Sequence, residues 1–307
     1  MVWINEIAEI VHGVVDRYQG AANKNIGDAF VLVWKFDRDL IYTNADGTVE
    51  LEESNKVSQL CDMSLISFLK IISSTKRSRK MRKYSSHAAL NKRMPGYEVV
   101  MGFGLHQGWA IEGALGSFYK IDTSYLSKNY NMSMTLEEST KTYESPLLVS
   151  GALYDHLTDA AKAECRQIDY ILFAGHTEPT ALYTVDHDKD HLELESKRPA
   201  LNKKQQRTAR VKARLNRNAF KESIMLGEID VAILFQTDND LLEMRKKFPA
   251  VFFEMFEDAF KSFTEGNWNR ARKQFRQIET IKREPDRPTQ VLLEYMAEYN
   301  FVAPDDW

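Results

Sequence analysis

Lys24-Asn25-Ile26-Gly27-Asp28-Ala29-Phe30, running into Val31-Leu32-Val33-Trp34, sets the frame of this chain. Apolar residues flank a Gly-Asp pair, the pattern of a β-hairpin with a tight turn. Such a turn presents one carboxylate, Asp28, close to one ammonium, Lys24, a pairing suited to a nucleotide-metal site. Upstream, Ile4, Ile7, Val11, Val14 and Val15 recur at helical spacing up to Tyr18, and Gly20 supplies a stop, which predicts an amphipathic helix packed on a sheet. Downstream, residues 37–56 are polar and carry Asn44-Ala45-Asp46-Gly47 turn chemistry, so they read as a surface excursion before a longer helix over about Val57 to Ser74.

The rest of the chain follows from the same signals. Apolar residues and glycines alternate from Tyr97 to Gly116, as in two antiparallel strands with close backbone approaches. A short strand at Tyr119–Ile121, a helix over about Leu126 to Tyr143, a strand at Leu147–Val149 and a helix over Gly151–Leu157 come next. Strands at Arg166–Phe173 and Thr180–Val185 close this part. Interleaved strands and helices with hairpins predict an α+β fold, helices lying against a mostly antiparallel sheet.

Composition is that of a globular protein: 43% of the 307 residues are apolar, 28% are charged and the formal charge is only −3, so neither a nucleic-acid nor a membrane partner is implied globally. Cys61 and Cys165 stand far apart without metal-ligand spacing, which points to free thiols and no zinc site. No apolar run is long enough to cross a bilayer, and Met1 opens into a polar-interrupted pattern rather than a signal peptide. A soluble, cytoplasmic protein without nucleic-acid partner or membrane span is expected.

Charge then becomes uneven. Lys76 to Lys83 is a basic run of the kind found at solvated helix ends, and Asp186-His187-Asp188-Lys189-Asp190-His191 reads as an exposed polar tail rather than a metal cluster. Lys197 to Lys221 holds ten Lys or Arg and no Asp or Glu, either an exposed linker or helix, or a basic arm for an acidic surface. Beyond it, Phe252, Phe256, Phe260, Gly266, Trp268, Ala271 and Phe275 have the spacing of a helix-turn-helix, with a third helix over Thr289–Glu298 covering its open face. The Gly266-Asn267-Trp268-Asn269-Arg270-Ala271 turn with Phe275 resembles part of one tetratricopeptide repeat, too little for a solenoid. It reads as a helical appendage that docks on a partner or packs as a cap. Three regions result: 1–186, a basic linker over 187–245, and the helical segment 246–307.

Taken with the hairpin, Gly104-Leu105-His106-Gln107-Gly108, Gly113-Ala114-Leu115-Gly116-Ser117 and Asn131-Met132-Ser133-Met134-Thr135-Leu136-Glu137 resemble, in order and spacing, the catalytic domain of class III adenylate/guanylate cyclases. The resemblance spans about residues 1–186. It implies a ferredoxin-like sandwich, with the first strand missing ahead of Met1, and a composite site at a head-to-tail dimer interface. It implies ATP with Mg²⁺ or Mn²⁺ as ligands if a site is retained. Matched position by position, Asp28 is the second metal aspartate, Lys24 and Ser124 are adenine-recognition positions, and Asn131 orients the ribose.

The departures fall on the phosphate side. Thr135 stands where the family has the arginine that grips the phosphate in the transition state, and a neutral hydroxyl cannot replace a bidentate guanidinium. Removing one such stabiliser costs roughly 3 to 4 kcal/mol, or about two to three orders of magnitude in rate. The first metal aspartate has no counterpart, Ala174 replaces the lysine of the family's Val-Lys-Gly motif, and Thr177 carries no charge where a second basic residue is frequent. His106 reads as a packed core histidine. A degenerate cyclase-like subunit of an intracellular assembly is therefore expected, with protein partners covering the sheet edge that a missing strand would leave open. An active adenylate cyclase completed by upstream sequence or a partner protomer, and a non-catalytic ATP sensor, are the alternatives. Leu65–Ile72, Gly108–Gly113 and Ala303–Trp307 resemble cyclase-domain proteins of ciliates and related protists, which implies a cilium or axoneme as the setting.

Overall fold

The computed structural model describes residues 2–196, 202–282, 285–305 and 307. In chain order, α1 (Val2–Arg17) leads into the ribbon β1 (Ala21–Ile26) and β2 (Ala29–Val33). A second ribbon, β3 (Ile41–Thr43) and β4 (Val49–Leu51), precedes α2 (Asn55–Arg77), α3 (Arg79–Ser85) and α4 (Ala88–Arg93). Next come β5 (Phe103–Leu105), the ribbon β6 (Ile111–Ser117) and β7 (Lys120–Leu126), and α5 (Lys128–Tyr143). Then β8 (Leu147–Ser150), α6 (Gly151–Tyr154), α7 (Asp159–Lys162), β9 (Arg166–Ile171) and β10 (Thr180–Thr184) follow. The remainder is helical: α8 (Lys203–Met225), α9 (Leu234–Thr237), α10 (Asn239–Arg245), α11 (Ala250–Thr264), α12 (Trp268–Lys282) and α13 (Arg287–Glu298). The architecture is a mixed α/β fold with a C-terminal helical region.

The sheet differs from the sequence expectation. One four-stranded sheet, in the order β5-β8-β10-β9, carries the core, and the other strands form separate two-stranded ribbons. Residues 97–116 do not hold an antiparallel pair: β5 pairs in parallel with β8, and β6 turns back on β7. The reason is close packing of helix on strand. A Cβ on Gly104 would lie 2.2 Å from the Ser133 carbonyl oxygen of α5, so only glycine lets the helix settle on β5. The strand pairing β5 needs then comes from beyond that helix.

Helix α2 runs through the main core, with Met63, Leu65, Ile66 and Ile71 wholly buried. Its buried serines donate to their own helix, Ser64 Oγ to the Cys61 carbonyl at 2.6 Å and Ser67 Oγ to the Ser64 carbonyl at 2.7 Å, so their burial leaves no donor unmet. Gln59 holds Asp230 and the Val231 amide, and Lys70 binds Asp238 and Asp240 at 2.8 Å each. Val231, Phe235, Leu241 and Met244 accordingly pack in the same core as α1 and α2.

The Asp186–His191 segment is a correction, because it is not an exposed tail. Asp186 is half-buried against Arg166, His187 is bonded through Nδ1 to the Val185 carbonyl, and desolvation pushes that imidazole below its ordinary pKa. The basic run at 76–83 straps the segment down: Lys76 binds Asp190 at 2.9 Å and Arg79 Nε donates to the Glu195 carbonyl at 2.6 Å. The other cations of the run pair elsewhere, Arg77 with Asp240, Lys80 with Glu9 and Lys83 with Glu6, so a run that looks solvated is held by partners from several elements.

The C-terminal helices close a second aromatic core around Phe256, Trp268 and Phe275. Ala259 and Ala271 are fully buried where α11 meets α12, and Trp268 Nε1 donates to the Phe263 carbonyl at 3.1 Å. Helix α13 packs on α12 and also on α5 and β9, so the helical region sits on the sheet.

Candidate functional site

The site is built where the β1–β2 ribbon meets the β6–β7 ribbon. Ile26 pairs with Ala29, leaving Gly27-Asp28 as a two-residue turn, and Gly27 at φ +66° has the left-handed backbone that the first position of such a turn demands. Asp28 stands exposed at the tip. A register shift between Ala22 and Lys24 re-aims Lys24 toward the β6–β7 ribbon. There its Nζ donates to Ser124 Oγ at 2.8 Å, across 100 residues of sequence.

Two further contacts join the ribbons, and a third, within β6–β7, steadies one of them. Asn23 Nδ2 donates to the Thr123 carbonyl at 3.5 Å, Lys35 binds Glu112 at 2.5 Å, and the Tyr125 hydroxyl donates to Glu112 at 2.8 Å. Glu112 is held below the usual carboxylate range by its bonds to Lys35 and Tyr125. Lys35, Glu112 and Tyr125 were not legible as a unit in sequence, since Lys35, just beyond β2, reaches a cross-strand pair of the β6–β7 ribbon 77 residues away.

Asn131 and Thr135 lie one turn apart on α5, whose N-terminus is capped by Ser127 accepting from the Tyr130 amide. Asn131 is exposed, and Thr135 Oγ1 donates back to the Asn131 carbonyl at 3.2 Å. Among the described residues no hydrogen bond links this pair to Lys24 or Ser124. Ala174 and Thr177 fall in the exposed β9–β10 connection.

His106 sits between the sheet and the start of α5. Its Nδ1 is 2.7 Å from Ser150 Oγ and its Nε2 is 3.2 Å from Asn129 Oδ1. Asn129 Nδ2 donates to the Trp109 carbonyl, so Asn129 Oδ1 is the acceptor and His106 carries its proton on Nε2. Burial depresses the imidazole pKa, against the raising effect of the bond to Asn129. This is a neutral, packed histidine that positions α5.

For a metal pair the donor set falls short. Asp28 is the one carboxylate at the hairpin tip, and among the described residues no three His, Cys, Asp or Glu side chains converge to hold a metal ion. This chain's described donors do not make up a two-metal site. Among the described residues no helix is long and apolar enough to cross a membrane.

No protein family's sequence profile matches the chain, and no curated protein matches it. Among solved structures it is similar to a bacterial light-regulated adenylyl cyclase at 23% identity and a TM-score of 0.38, over 60% of this chain and 44% of that one. The adenylyl cyclase CyaB from P. aeruginosa is similar at 17% identity, with a TM-score of 0.39, over 64% and 83% of the two chains. The guanylyl cyclase Cya2 gives 12% and 0.40, over 62% and 85%. The chain thus spans less than half the length of the light-regulated enzyme. Overlap this shallow assigns neither a family nor an activity.

Proposed function

We propose that the chain is a degenerate class III cyclase-like protein, acting as a structural or regulatory subunit that dimerises through its cyclase-like surface. The observation that carries this reading is an asymmetry within the site. The two adenine-recognition positions, Lys24 and Ser124, meet at 2.8 Å, whereas the transition-state position is a threonine bonded to its own helix. A base-binding half without a phosphate-stabilising half binds a nucleotide and does not turn it over. The same pair favours a second reading, a non-catalytic ATP sensor. The ciliary or axonemal setting rests on the protist-type resemblance alone.

The test is cyclic AMP formation from ATP with Mg²⁺ and with Mn²⁺, beside equilibrium binding of ATP. The subunit reading expects no product from the wild type and no more than a trace from Thr135→Arg, because the carboxylate set stays incomplete. ATP binding that Lys24→Ala abolishes supports the sensor reading. Robust wild-type turnover sinks both.

A further inference from the structure

Helix α8 is capped and then left bare. Asn202 accepts from the Gln205 amide while the Gln205 side chain accepts from the Asn202 amide, a reciprocal capping box that fixes the start of the helix. From Lys203 to Asn216 every residue is exposed. Only the last turns settle on the body, where Ile224 is buried and Phe220 packs edge-on against Tyr18.

The cations on this helix repeat. Lys203 and Arg207, Arg210 and Arg214, and Arg217 and Lys221 are each four residues apart, and successive pairs are offset by seven. Residues four apart share a helical face, so the pairs form one stripe with about 10.5 Å between pairs. The third pair is filled. Asp16 of α1 accepts from Arg217 Nε through Oδ2 and from Lys221 Nζ through Oδ1, both at 3.1 Å. Among the described residues, the first two pairs have no carboxylate.

Like charges at this spacing weaken a helix, and a carboxylate seated between them replaces repulsion with two charge-assisted hydrogen bonds. The filled pair displays the fitting ligand. We infer that α8 is a docking arm for an acidic helical polypeptide whose carboxylates recur every seven residues. Val211 and Leu215 line the adjoining row and are 55% and 63% exposed, an apolar shoulder suited to an amphipathic helix. A duplex groove is a poorer match, because its phosphates flank a helix on both sides, and off the stripe this exposed stretch carries only Lys204 and Lys212. A membrane surface is poorer still, since the exposed stretch has no aromatic residue and little apolar area.

The inference is independent of any nucleotide at the hairpin. Its test titrates the full chain with a labelled three-heptad helical peptide bearing one glutamate row, and with an isomer of the same composition whose glutamates are scrambled. Duplex RNA and phosphatidylserine vesicles are the other probes. The heptad peptide is expected to bind about tenfold tighter than its isomer, weakening with salt. Arg210→Glu with Arg214→Glu removes the preference, and Asp16→Asn, which empties the third seat, strengthens binding. Circular dichroism of each variant checks that the fold is retained, as expected for solvent-facing positions. Equal binding of the two peptides, tighter binding of RNA or vesicles, or no response to the double substitution would overturn the proposal.

Discussion

Two polar junctions hold distant parts of this chain together, and they differ in one respect, water. Where the C-terminal helices meet the sheet, Arg166 of β9 is buried between Asp186 and Asp286, with its guanidinium 4.3 Å from the Phe256 ring centre. Burial works against the charge, and the two carboxylates more than offset it, so the guanidinium is held above its ordinary pKa. Asp286 also caps α13 by accepting from the Thr289 amide and hydroxyl. Where the two ribbons meet, Lys24–Ser124 and Lys35–Glu112 make bonds of similar length at the solvent boundary. The first junction fixes architecture because its charges have no aqueous alternative. The second can exchange its partners for water or for a ligand, as a binding surface requires.

The largest effect should come from breaking the buried junction. Arg166→Met leaves two carboxylates without their cation and is expected to cost about 3 to 5 kcal/mol in urea unfolding, with the C-terminal helices loosening first. An unchanged midpoint would erase the contrast between the junctions.

Asp62 sharpens the comparison, being a buried carboxyl whose hydrogen bonds come from Thr158 rather than from a cation. Burial raises its pKa from 3.8 to about 7, against the lowering effect of those bonds. The folded pKa lies above the unfolded one, so its contribution is intact below about pH 4 and is lost as pH rises toward 7. Wild-type stability should therefore fall by roughly 3 to 4 kcal/mol across that window relative to Asp62→Asn. Parallel pH profiles for the two proteins would refute this.

The smallest effects belong to the ribbons. Lys35→Ala and Phe118→Ser are expected to leave the melting midpoint within error, Phe118 being 98% exposed. A cooperative loss of stability from either would mean that the ribbon contributes to the core. Lys24→Ala should likewise spare stability, and on the sensor reading it abolishes ATP binding.

Much of the local structure was legible. The Gly27-Asp28 turn, the amphipathic α1, the helix bearing Asn131 and Thr135, and the aromatic pairing of α11 with α12 were all expected from turn chemistry and periodicity. These signals report a few neighbouring residues, and short-range sterics suffice to satisfy them. The partner of β5, the strapping of the 186–195 segment by Lys76 and Arg79, and the partial burial of Asp186 and His187 were not legible. The meeting of Lys24 with Ser124 was implied only by the resemblance, which gives both to base recognition, and by no local signal, because the two lie a hundred positions apart.

By itself the sequence determined the kinds of groups on offer: a hairpin carboxylate and lysine, a threonine on the α5 face, and a basic stripe of heptad spacing. Tertiary structure alone decided which of them are buried and which are wet. That decision matters because a charge acquires its energetic weight from the dielectric around it and from the partner that long-range packing brings within reach.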